Sequence, residues 1–182
     1  FSAYAASQAQ IMFRIGRMAW ERGLCAANDG NFSCCMEDGK ILCTASGISK
    51  GFMKESDLVV IDDQGQKLSG TGKASSEIKM HLAAYHSRKD VQAVVHLHPP
   101  YTLAVSLITQ ESFMYDIPLM AENLIGLGKV PVLPFALPGS DEIPEGLKPY
   151  FNRCEIAVLA HHGVVAWGKT LEDAYYKLET LE

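Results

Sequence analysis

The chain has 182 residues, 48% of them hydrophobic and 20% charged, which is the balance of a soluble globular protein and predicts a single domain over 1–182. A net charge of −5 with no Lys/Arg block to neutralise a phosphate backbone argues against a nucleic-acid partner. No apolar run approaches the roughly 18 residues that a membrane span needs, so no membrane partner is expected.

Position 1 is Phe, so both ends of the sequence are read as incomplete. The opening segment carries Ile11, Met12, Ile15, Met18 and Ala19 at helical spacing, which predicts a helix over about the first 24 residues, ending near Gly23. Arg14, Arg17 and Glu21 interrupt its apolar character, unlike a signal peptide. Five cysteines, an odd count with an adjacent pair and no CxxC, fit neither a disulfide framework nor a cysteine zinc site. They are read as small core residues of a protein in the reducing cytoplasm.

NFSCCMEDGKILCTAS predicts two strands turning at Asp38-Gly39, and DLVVIDDQGQKLSG predicts a second hairpin turning near Asp63 to Gly65. SSEIKMHLAAYHSR reads as a helix with Ile78, Leu82 and Tyr85 on one face, Ser75 or Ser76 as N-cap and Glu77 in its first turn. VQAVVHLH is the next strand, and Pro100 suits the first turn of a helix through TLAVSLIT. KVPVLPFA reads as a short strand whose prolines suit an edge or a strand end. A short helix is expected after ALPGSDEIPEG, then one strand, EIAVLAHHGVVAWG, interrupted or bulged near Gly163. A last helix starts at Thr170, with Asp173 completing a capping box. Hairpin-linked strands interleaved with helices predict an α/β fold with a mixed, largely antiparallel sheet.

His96 and His98 lie two residues apart, so on a strand they project from one face and both reach a single metal ion above it. The ordinary alternative is a pair of buried histidines bonded to backbone. His161-His162 ends another apolar run, and alternation allows at most one of that pair to join them. Three imidazoles would leave a coordination position open, as at a catalytic zinc or another divalent transition metal. His81 and His86 read as solvent-facing or core-edge residues. Glu77, beside Ser75, Ser76 and free backbone N–H groups, borders an anion site, although acids in first turns commonly just favour the helix dipole. Gly30-Asn31 and Ser46-Gly47 are turns able to present N–H groups and hydroxyls to the same anion.

GNFS, TASGI, GKASSE, VVHLHPPYTLAVS and LAHHGVVAWGKTLEDAYYKLETLE, in this order, resemble the class II aldolase/adducin family over nearly the whole chain. The resemblance implies a three-layer α/β/α sandwich with a central, mainly antiparallel sheet. It implies that His96, His98 and His162 bind zinc and that Glu77 coordinates the metal or swings away as acid/base. It places a substrate phosphate on Gly30, Asn31, Ser46, Gly47, Ser75 and Ser76, in a homotetramer with active sites at subunit interfaces. The implied reaction is aldol cleavage or formation of a ketose 1-phosphate or similar sugar phosphate through a metal-stabilised enediolate, with Glu77's pKa raised by burial once it leaves the metal. Epimerisation, dehydration or decarboxylation through the same enediolate is the alternative, and a non-catalytic, adducin-like interaction module is the lesser one. The family's sugar-phosphate aldolases carry a tyrosine in the segment before the PVxPY-like strand and another in a C-terminal tail. Here no tyrosine lies between Asp116 and Pro131, Met120 falls near the expected place, and Glu122 is the alternative polar group, although a loop glutamate is ordinarily just solvated.

Overall fold

A computed structural model describes residues 2–108 and 120–182, with the backbone of 113–114. The first helix, α1 (Ala3–Glu21), starts on the Ser2 hydroxyl, which accepts the N–H of Ala5. It ends in a Schellman motif: Gly23, at φ +71°, and Leu24 donate to the carbonyls of Trp20 and Ala19. Two hairpins follow, β1 (Asn31–Cys35) with β2 (Ile41–Thr44) and β3 (Leu58–Ile61) with β4 (Lys67–Ser69), at the predicted turns.

Next come α2 (Ile78–Ser87), β5 (Ala93–Leu97), α3 (Pro100–Ile108), β6 (Phe113–Met114), α4 (Ala121–Gly126), β7 (Val130–Leu133), α5 (Glu142–Leu147), β8 (Ile156–Leu159), β9 (Gly163–Gly168) and α6 (Leu171–Leu181). Eight strands and the two-residue β6 form one sheet in the order β4-β3-β2-β1-β5-β9-β8-β7-β6. Only β7 and β8 pair in parallel among the described strands.

Strand alternation distributes the side chains to two apolar layers. Phe32, Val95, Leu97, Val164 and Ala166 pack with Met12 and Ile15 of α1 and Tyr175 and Leu178 of α6. Val94, Val165 and Trp167 pack on the opposite face with Met80 and Ala84 of α2 and Ile143 and Leu147 of α5. The result is the expected α/β/α sandwich. Cys25, Cys34, Cys43 and Cys154 are buried within it. Among the described residues, no helix is long and apolar enough to cross a membrane.

Four local expectations are corrected. EIAVLAHHGVVAWG is not one bulged strand but two antiparallel strands, closed by a three-residue turn in which His162 N–H donates to Leu159 O and His161 takes φ +59°. Helix α5 begins inside the Gly/Pro-rich segment, with Pro144 in its first turn, where the missing N–H costs nothing. Helix α2 begins one residue late: Glu77 is its N-cap, and the Ser75 hydroxyl accepts the N–H of Glu77. At α6, Thr170 caps Asp173 as predicted, but the Asp173 carboxylate reaches Lys169 N–H, so the reciprocal half of the box is displaced by one residue.

Candidate metal centre and anion pocket

The site forms where β1, β5 and β9 end against the start of α2. His96 is opposite Asn31 of β1 and Val165 of β9, and it shares with Val94 the face covered by α2. It is fully buried, whereas His98, one residue beyond the strand, is a quarter exposed. The β8–β9 turn delivers His162 to the same point, so a turn, and not strand alternation, selects it over its exposed neighbour His161. The ring centroids lie 4.9 to 5.4 Å apart, and one nitrogen from each falls within 4.8 Å of the others. Gly163 makes the approach possible: a Cβ there would lie 2.6 Å from both His96 Cε1 and His98 Cδ2.

The donor set suits a cation. His96 Nδ1 is 2.9 Å from the carbonyl of Val164 and therefore carries the proton, which leaves a lone pair on Nε2. Asp29 Oδ2, 3.3 Å from His98 Nδ1, fixes His98 in the same tautomer. The two Nε2 atoms then face each other across 3.1 Å, lone pair to lone pair, an arrangement that a cation between them would relieve. Glu77 closes the cluster, with Oε1 2.9 Å from His162 Nε2 and Oε2 3.4 Å from His96 Nε2.

The electrostatics are those of an anion among imidazoles. Burial raises the Glu77 pKa, but His96, His162 and the Asn31 amide outweigh it and hold the carboxyl below its ordinary range. Burial pushes His96 down to about 3 and also lowers His98, so both rings are neutral and able to ligate.

Asn31 Nδ2 donates to Glu77 Oε2 at 2.9 Å and to Ser75 Oγ at 3.3 Å, so its amide is engaged with the carboxylate and with the serine that precedes α2. Gly30, at φ +78°, lies so close to β5 that a Cβ would meet the His96 carbonyl at 2.8 Å. Ser46-Gly47 is an exposed turn bonded to the segment that leads into Ser75 and Ser76, with Ser46 N–H donating to Lys73 O at 2.8 Å. Lys50, which is buried, donates to the carbonyls of Asn28 and Ile48 and so ties the Gly-Asn and Ser-Gly turns together. Glu122 is exposed in the first turn of α4, and residues 115–119, where the stretch without tyrosine begins, lie outside those described.

Sequence reasoning missed four contributors. His81, expected at the surface or the core edge, is instead fully buried between Asn31 and Ser33. Its signal was the spacing of four from Glu77, which puts both on one face near the start of α2. Ser33, whose polar side chain alternates with Phe32 and Cys34, carried a similar hint. Asp29 and Lys50 left none.

A three-layer sandwich that gathers three histidines from the end of β5 and the β8–β9 turn beside a glutamate at the start of α2 offers a cluster able to hold a metal ion. The chain belongs to the class II aldolase/adducin family: the family described as "Class II Aldolase and Adducin N-terminal domain" matches residues 10–182. It is 35% identical over 177 residues to the 3-oxo-tetronate 4-phosphate decarboxylase of Haemophilus influenzae, covering 97% of this chain and 84% of that one. Identity to the L-fuculose phosphate aldolase of Methanocaldococcus jannaschii is 33% over 169 residues, covering 93% and 88%. The solved structure of YgbL from Escherichia coli superposes with a TM-score of 0.91 at 31% identity, covering 97% of this chain and 86% of that one.

Proposed function

We propose that this chain is a metal-dependent lyase that decarboxylates a phosphorylated 3-oxo sugar acid. The observation that carries the reading is the convergence of His96, His98 and His162 on Glu77, in a chain similar to 3-oxo-tetronate 4-phosphate decarboxylases. A divalent ion held by the three histidines, zinc in our reading, would supply Lewis-acid stabilisation for negative charge on the substrate's carbonyl oxygen.

The chain's own residues do the rest. The Gly30-Asn31 and Ser46-Gly47 turns, with Ser75 and Ser76, seat the phosphate; Ser75 accepts from both Asn31 and Glu77, so its own proton is available to an anion. Fixing the phosphate orients the carboxylate for departure. Loss of carbon dioxide leaves its electron pair on the neighbouring carbon, and Glu77, once protonated, delivers the proton there. No second carbonyl fragment has to be protonated or released. This suits a chain without a tyrosine between Asp116 and Pro131, the stretch in which the family's aldolases carry one.

Aldol cleavage of a ketose 1-phosphate leaves the same carbanion and is the second reading, supported by the identity to L-fuculose phosphate aldolases. Incubation of the zinc-loaded protein with 3-oxo-tetronate 4-phosphate and, separately, with ketose 1-phosphates separates the two. We expect carbon dioxide and dihydroxyacetone phosphate from the first; aldehyde release from the second with no carbon dioxide from the first would overturn the decarboxylase. A homotetramer belongs to the same proposal and is supported by the exposed apolar side chains of Tyr101, Val105, Ile108, Leu124 and Ile125. Light scattering checks it.

A further inference from the structure

Behind Glu77 runs a buried chain of hydrogen bonds whose direction is determined from both ends. The Asn31 NH2 donates to Glu77 Oε2 at 2.9 Å, so Asn31 presents its Oδ1 to His81. His81 Nε2, 2.6 Å from that oxygen, must therefore carry the ring proton. Burial lowers the His81 pKa to about 4, so the ring is neutral and Nδ1 is an acceptor. Ser33 Oγ, 2.7 Å from Nδ1, supplies that hydrogen and accepts one in turn from the Tyr85 hydroxyl at 2.6 Å. Burial raises the Tyr85 pKa well above its ordinary value, which keeps this outermost donor protonated. Every donor from Tyr85 inward points toward Glu77.

We propose that His81, held in its Nε2–H tautomer by Ser33 and Tyr85, is a positioning residue: it sets which way the Asn31 amide faces and so fixes the Glu77 carboxylate for proton transfer. An Asn side chain can flip at little cost unless its neighbours differ, and here a donor on one side and an anion on the other leave one orientation satisfied. A flipped Asn31 would set its oxygen against the carboxylate and its NH2 against the His81 N–H. The relay spans β1 and two turns of α2, and burial at Ser33 and His81 prevents water from substituting for a lost partner. The inference rests on Glu77 as the proton-transfer group.

The first test is spectroscopic and independent of turnover. Long-range nitrogen–proton correlation on ¹⁵N-histidine-labelled, zinc-loaded protein should show His81 as the Nε2–H tautomer, with that state lost or mixed in Ser33→Ala. A His81 found as Nδ1–H overturns the proposal. The second test is deuterium exchange at the hydroxymethyl carbon of dihydroxyacetone phosphate. His81→Leu should lower the limiting exchange rate about 10- to 100-fold with zinc content retained and KM nearly unchanged, and His81→Gln, which restores a donor toward Asn31, should recover most of it. Equal loss in both variants, or none in His81→Leu, contradicts the positioning role. If His81→Leu fails to fold, the tautomer and the His81→Gln rate decide. Wild-type exchange in Glu77→Gln would instead remove the premise, a distinguishable failure.

Discussion

Beneath α1 and α6, strands β1, β5 and β9 present Phe32, Cys34, Val95, Leu97, Val164 and Ala166. Beneath α2, the first two of these strands present Asn31, Ser33 and His96, equally buried but polar. The apolar face is held by contacts without direction, so its requirement is volume. The polar face is held by bonds with a donor end and an acceptor end, and a side chain of the right size with the wrong proton fails there. Apolar layers stabilise both faces, since Val94, Val165 and Trp167 also pack beneath α2 and α5, and the chemistry occupies a polar patch set into one of them.

Changes to the polar face should produce the largest functional losses. His96→Ala should abolish both zinc binding and turnover. Gly163→Ala, whose added methyl would collide with His96 and His98, should weaken zinc about 100-fold in a chelator competition while the fold survives. A Gly163→Ala variant with wild-type affinity would break the view that the β8–β9 turn builds the metal seat.

The apolar face should behave oppositely. Leu178→Ala, in the fully buried stripe of α6, should cost about 2–5 kcal/mol in urea unfolding, yet leave kcat per folded molecule unchanged. A large kcat loss there would mean that the two faces are not separable.

The smallest effect is acid sensitivity from the polar face. His81 has a folded pKa of about 4 against 6.5 ordinarily, so the unfolded chain takes up the proton first. The stabilisation is fully present above pH 6.5 and is lost as pH falls toward 4, by roughly 3 kcal/mol at most. His81→Gln should flatten the stability profile across that window; an unchanged slope would show that His81 is not buried as a neutral ring.

The apolar face was the more legible in the sequence, because periodicity is a local signal: the spacing of Ile11, Met12 and Ile15 announces α1, and Asp38-Gly39 announces the first hairpin. The histidine cluster was legible as a pair plus one of two, and family resemblance was needed to choose His162. The turn that makes the choice was hidden because Ala160-His161-His162 contains neither Gly nor Pro, so two strands read as one. His81 escaped for the opposite reason. Its partners lie on β1, about 50 residues away, and only the folded chain reveals that a histidine on an apolar helix face has both nitrogens satisfied. Asp29, in a turn, reads as a solvated acid until β5 brings His98 to it.

The central claim is that Glu77 moves the proton beside a metal held by the three histidines, and Glu77→Gln tests it most directly because the variant keeps the shape and can still accept from Asn31. Zinc content and deuterium exchange into dihydroxyacetone phosphate should be measured on the same sample. Retained zinc with exchange reduced to background is the predicted result; retained zinc with wild-type exchange would contradict it.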